Sequence, residues 1–172
     1  MLDVVERLEL DDVAYLLPVA AERSWYPGRY FDPVSHNEPD VSWAIEACEA
    51  ALAAAHAGGL PDQRIVLGGF SQGACVVAEL LARTPRPLAG AAVLTGSLLG
   101  QAAARSPAPV DRLRMFFASS RHDEWIALAD AHATAQAFER AGAVVVFETD
   151  ENREHHISDR AVAGLRALLT GG

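Results

Sequence analysis

Apolar residues recur along this chain in two rhythms. Short runs rich in Val, Ile, Leu and Phe, without strict alternation, fall at residues 13–19, 64–70, 90–95, 113–119 and 144–148. That composition suits strands covered on both faces. Between them the period lengthens. Val41, Ile45, Cys48, Leu52 and Ala55 recur at spacings of four and three, and Gly58-Gly59 stops the pattern. Val76, Val77, Leu80 and Leu81 form a second stripe that ends at Thr84-Pro85. Residues 125–141 are Ala-rich with Gly142 as a C-terminal cap, and Val162, Leu165 and Leu169 stripe the last helix. Strand–helix alternation of this kind predicts a mostly parallel sheet with helices on both faces, a three-layer α/β fold, in one domain over residues 1–172.

Two stretches fit neither period. Residues 21–39 carry Trp25, Tyr26, Tyr30 and Phe31, and residues 96–110 are rich in small residues and proline. Loops that long inside a compact domain are usually functional or mobile. Clefts in a parallel sheet open at the carboxyl ends of its strands. The aromatic loop follows the first predicted strand, so it is expected to border such a cleft. A surface loop anchored by tucked aromatics is the plainer alternative.

The 172 residues are 51% hydrophobic and 22% charged, with a formal net charge of −9. A chain this long can bury a core without staples. All 14 basic residues are Arg, and no basic stripe tracks a phosphate backbone, so nucleic acid is not an expected partner. No apolar run approaches the ~20 residues of a membrane helix. The start, Met1-Leu-Asp-Val-Val-Glu-Arg, has neither a basic nor an apolar signal region, which predicts a cytoplasmic protein. Cys48 and Cys75 are too few and too far apart for a disulfide scaffold or a CxxC zinc site, and read as buried, reduced thiols.

Chemistry concentrates at Gly69-Phe70-Ser71-Gln72-Gly73, a G-x-S-x-G placed after a predicted strand and before a predicted helix. That spacing builds a sharp strand-to-helix turn with the serine at its tip. The following helix aims its N-terminal N–H groups at the same spot, so the Gln72 N–H can stabilise an oxyanion. A serine hydroxyl needs a base to take its proton, and the base needs an orienting acid. The strand at 113–119 runs into Ser120-Arg-His-Asp123-Glu124, and the strand at 144–148 runs into a segment containing His155-His156. Acid and imidazole therefore follow the serine in the order of a hydrolase triad, each beyond a strand end. Spacing alone leaves Asp123 and Glu124, and His155 and His156, as alternatives. A metal site built from His122, Asp123, Glu154, His155 and His156 lacks a helical His pair or an HExxH, and no metal is expected.

With these residues the sequence resembles the phospholipase/carboxylesterase family of small α/β-hydrolases, relatives of the acyl-protein thioesterases. The likeness rests on Ser24-Trp-Tyr-Pro-Gly-Arg-Tyr-Phe-Asp-Pro33, Asn37-Glu-Pro39, Arg64-Ile-Val-Leu-Gly-Gly-Phe-Ser-Gln-Gly-Ala-Cys75 and His155-His-Ile-Ser158. The family's acid lies in a Gly-x-x-Asp-x-x-Val-Pro segment, which matches Asp123. Its histidine lies in Gly-His-x-Ile-Ser, which selects His155; both small glycine positions differ here. The resemblance implies a carboxylesterase or thioesterase acting on small or medium acyl groups through Ser71, His155 and Asp123. Trp25, Leu98 and Leu99 would line the acyl side, and no cofactor is required. It also implies a small-molecule ester or thioester substrate, no membrane span, and leaves a homodimer open.

One departure lies at the front. Family members carry an upstream strand ending in a His-Gly-x-Gly-like loop that supplies the second oxyanion donor, and this chain begins just past that point, an N-terminally truncated version of the fold. A native start upstream of Met1, closure of the flanking strands, or another chain in the space are the competing explanations. The alternative function is a catalytically impaired homologue kept as a binding or assembly subunit.

Overall fold

Four of the five apolar runs become strands of one sheet. The computed structural model describes residues 2–151 and 154–171. Its elements are α1 (Leu2–Leu8), α2 (Asp40–Ala57), β1 (Val66–Phe70), α3 (Gln72–Arg83), β2 (Gly90–Leu94), β3 (Arg114–Ser120), α4 (Leu128–Arg140), β4 (Val144–Asp150) and α5 (Asp159–Thr170). The strands lie in the order β1-β2-β3-β4, every pairing parallel, with Val66 opposite Gly90, Ala91 opposite Met115 and Arg114 opposite Val144. Parallel neighbours need crossovers that cover the faces of the sheet. This accounts for the fully buried β2, whose Gly-Ala-Ala-Val-Leu is apolar throughout.

The two faces of the sheet carry separate cores. Ala91, Val93, Met115 and Phe117 point toward α3 and α4, with α2 packed behind α3. Ala92, Leu94, Phe116 and Ala118 point toward α5 and α1. The period-two alternation along β2 and β3 therefore feeds both layers. On the α5 side the approach is close: a Cβ at Gly164 would lie 2.2 Å from the Phe116 ring, so only glycine lets α5 sit on that strand. The expected three-layer α/β architecture is the one observed.

The first predicted strand is a correction. Residues 13–19 form no strand and pair with none of β1 to β4. An apolar run becomes a strand only where a neighbouring edge offers ladder partners. Here the run includes Pro18, which has no N–H, and it leaves Leu16, Leu17 and Val19 exposed. Helix α1, absent from the sequence reading, is too short for a periodic signal. It is held by Val4 and Leu8, one turn apart and buried against α5. Two arginines clamp it: Arg7 donates to the Ile157 carbonyl at 2.8 Å, and Arg166 donates to the carbonyls of Leu8 and Arg7 at 2.9 and 2.8 Å.

Candidate active site

Ser71 occupies the turn between β1 and α3 with φ 56° and ψ −124°, a region that side chains other than glycine rarely adopt. Such a conformation costs on the order of 1–3 kcal/mol and persists only where its surroundings over-determine it. They do so here. The Ser71 N–H donates to the Leu94 carbonyl, and the Ser71 carbonyl accepts from the Cys75 N–H, both at 3.1 Å. Gly69 makes the turn possible, because a Cβ there would lie 2.3 Å from the Gly73 carbonyl oxygen. A serine at a helix N-cap normally turns its hydroxyl back onto the first turn. Ser71 makes no such cap, and its Oγ lies 2.8 Å from His155 Nε2.

The other two groups come from the carboxyl ends of β3 and β4. His155 Nδ1 lies 2.8 Å from Asp123 Oδ2. The second oxygen, Asp123 Oδ1, accepts the N–H groups of Trp125 and Ile126 at 2.8 Å each, and the carboxylate is fully buried. With its proton on Nδ1, a neutral imidazole donates to the carboxylate and presents the Nε2 lone pair to the serine hydroxyl. The rings of Phe70 and Trp125 flank the imidazole, at centroid distances of 4.9 and 6.3 Å. Of the paired alternatives, the structure brings Asp123 and His155 together with Ser71. Glu124 is exposed, and His156 turns to its neighbour Glu154.

Gln72 is the first residue of α3, so its N–H has no partner within the helix. Trp25 stands over the same turn: a Cβ on Gly73 would be 3.6 Å from the indole Nε1. The aromatic loop is braced at its other end by Tyr30, whose hydroxyl donates to Asp130 and accepts from the Ala127 N–H. Burial raises the Tyr30 hydroxyl to about 12, the Ala127 N–H working against it and Asp130 with it, so it stays a proton donor. Tyr26 and Tyr30 are tucked into the core, as the plainer reading of this loop expected, and Trp25 adjoins the turn that carries the serine.

Leu98 and Leu99 depart from the expectation. Both are fully buried in the core on the α3–α4 side, their N–H groups bonded to Thr134 and Glu79, and they present no surface to a substrate. The reason is Glu79, which sequence reasoning passed over. This fully buried carboxylate accepts from the Leu99 N–H, from both Nη atoms of Arg105 and from Arg83 Nε, drawing residues 97–105 inward. Its signal was available as a single charge inside Val76-Val77-Ala78-Glu79-Leu80-Leu81. The side chain of Gln72, and Phe70 and Trp125 beside the imidazole, were likewise not anticipated.

Cys48 and Cys75 are free, buried thiols, each pushed up in pKa by burial. An open depression of about 430 Å³ beside the 154–158 loop is lined by Arg7, Asp150, His156 and Arg160 and includes none of Ser71, Asp123 or His155. Among the described residues no group of His, Cys, Asp or Glu is arranged to hold a metal ion, and no helix is long and apolar enough to cross a membrane.

Comparisons with known proteins extend the picture. Acyl-protein thioesterase 1 of Cryptococcus neoformans var. neoformans serotype D is 33% identical over 76 residues, 42% of this chain and 32% of that protein. The chain thus matches about a third of the length of such curated relatives. Among solved structures, a phospholipase/carboxylesterase from Dyadobacter fermentans superposes with a TM-score of 0.79 at 25% identity, over 87% of this chain and 73% of that one. The Bacillus cereus carboxylesterase does so with a TM-score of 0.68 at 22% identity, over 83% and 68%, a likeness of fold. The model of the phospholipase/carboxylesterase family matches residues 14–170, and the chain belongs to that family.

Proposed function

We propose that this protein is a serine hydrolase that cleaves carboxylic esters or thioesters of small or medium acyl groups. One observation carries the reading: Oγ of Ser71, the imidazole of His155 and the carboxylate of Asp123 form a continuous chain of 2.8 Å contacts at the carboxyl ends of parallel strands. Ser71 attacks the acyl carbonyl as His155 Nε2 takes the hydroxyl proton. Asp123 holds the tautomer and stabilises the imidazolium, and its own bonds from Trp125 and Ile126 keep it aimed. The Gln72 N–H receives the developing oxyanion, aided by the positive end of α3. His155 then returns its proton to the leaving oxygen or sulfur. Water, activated by the same imidazole, hydrolyses the acyl-enzyme. The thioester option draws on the curated relatives, which are acyl-protein thioesterases by name.

A fluorophosphonate probe together with p-nitrophenyl acetate turnover tests this. Wild-type protein should be labelled and active, and Ser71→Ala should lose both. Labelling without turnover would favour an impaired homologue. Absence of labelling in folded protein would refute a nucleophilic Ser71.

A further inference from the structure

A glutamine side chain offers one acceptor oxygen and two donor hydrogens. In Gln72 it is directed at three consecutive residues of the aromatic loop. Oε1 accepts the Trp25 N–H at 3.0 Å, and Nε2 donates to the Tyr26 carbonyl at 3.0 Å. The Ser24 hydroxyl, which donates to the same Tyr26 carbonyl at 2.9 Å, lies 3.3 Å from Oε1. Bonds to an N–H and to the next residue's carbonyl fix the backbone on both sides of Trp25. The indole is thereby aimed over the first turn of α3.

The loop's other hydrogen-bonded ties lie to either side of Trp25. Upstream, the N–H groups of Arg23 and Ser24 donate to Ala20 and Ala21 within the loop's own turn, and residues 13–19 pair with no strand of the sheet. Downstream, the next side-chain ties are those of Asn37 to Gly28 and Arg29 and of Tyr30 to Asp130. The buried Tyr26 ring anchors the loop in the core and the half-buried Trp25 packs against the same core, while the Gln72 bonds fix the backbone on both sides of the indole.

We infer that the Gln72 side chain is a positioning residue for acyl selectivity: it holds Trp25 in register with the oxyanion N–H that its own backbone carries. One residue then couples the charge-stabilising group to the acyl wall. The inference deepens the hydrolase reading above and rests on it. Gln72→Met keeps the backbone N–H and the side-chain length but removes both amide bonds. Gln72→Glu keeps the acceptor for Trp25 and loses the donor to Tyr26.

The experiment measures kcat and KM for p-nitrophenyl acetate and octanoate in wild type, Gln72→Met, Gln72→Glu, Trp25→Ala and the Gln72→Met/Trp25→Ala double variant, with folding checked by circular dichroism. In Gln72→Met the octanoate-to-acetate ratio of kcat/KM should fall roughly tenfold, the scale of effect expected when a substrate wall moves by a fraction of an ångström. Gln72→Glu should recover part of that loss. The double variant should lose no more selectivity than Trp25→Ala alone, because both changes act through one indole. An unchanged ratio, or losses that multiply in the double variant, overturns the inference. Failure of the hydrolase reading would look different, as wild-type protein untouched by fluorophosphonate. In that event the hold on Trp25 is read from its fluorescence in a Trp43→Phe/Trp125→Phe background. Red-shifted emission and stronger acrylamide quenching on Gln72→Met support the hold, and unchanged emission refutes it.

Discussion

Replacing Glu79 by leucine tests whether a buried charge organises the segment behind the candidate site. The Glu79 carboxylate is inaccessible to solvent and satisfies four donor groups: the Leu99 N–H, two nitrogens of Arg105 and Nε of Arg83. Their fates differ once it is gone. Arg105 keeps the Leu99 carbonyl at 2.6 Å, Arg83 keeps Glu38 at 2.8 Å, and both guanidinium groups reach water. The Leu99 N–H, in a fully buried residue, is left without an acceptor, which costs about 1–3 kcal/mol. Breaking a buried pair costs about 3–5 kcal/mol when the abandoned charge stays buried. Here the abandoned charges can reach solvent, so the expected loss lies at the lower end, about 3 kcal/mol. In a chain of this size each kcal/mol moves Tm by about 2–4 °C, so differential scanning calorimetry near neutral pH should show a drop of roughly 6–12 °C. Fluorophosphonate labelling at 25 °C confirms that the protein compared is folded. A Glu79→Leu variant as stable as wild type would refute the reasoning, since it would mean that desolvating the carboxylate costs as much as its bonds return.

Other perturbations probe the site and its frame. Asp123→Asn keeps an oxygen for the Trp125 and Ile126 N–H groups but favours the wrong imidazole tautomer, so kcat should fall on the order of 10⁴-fold with little change in Tm. Gly69→Ala forces a Cβ to within 2.3 Å of the Gly73 carbonyl oxygen, so β1 and α3 must separate; labelling at Ser71 and Tm should both fall, and a variant matching wild type in both would contradict the turn geometry. Glu38 is partly buried, which raises its pKa. Its bonds from Ser42 and Arg83 outweigh that and hold it below the ordinary carboxylate value. The stability it contributes is therefore present above the unfolded-state value and is lost as pH falls through the lowered folded-state value, so Tm should decline more steeply in acid for wild type than for Glu38→Gln.

The site depends on two kinds of order. Backbone order is local: a strained serine is held between β1 and α3 by bonds from its own turn and from Leu94 of the neighbouring strand. Side-chain order is remote, because Asp123 and His155 stand 32 residues apart in the chain and meet only when β3 and β4 pair in register. Arg7 adds a tie from α1 to the Ile157 carbonyl, two residues beyond the imidazole. The aromatic loop spans the assembly, tied to the serine turn through Gln72 and to the start of α4 through Tyr30.

Much of this was legible in the residues alone. Apolar runs named four strands, stripes at helical spacing named α2, α3, α4 and α5, and Gly-Phe-Ser-Gln-Gly named the turn, because each is a local pattern that the backbone translates directly. What the chain needed its tertiary structure to decide were the outcomes that hinge on a distant partner. Residues 13–19 have the composition of a strand and are none, since a strand exists only beside an edge that completes its hydrogen bonds. Two leucines that looked like pocket lining were drawn into the core by Glu79, a charge whose burial is tolerable only because two arginines and an amide converge on it. Spacing left His155 and His156 open and the family resemblance pointed to His155, and the physical reason is which ring reaches Ser71 once the sheet closes.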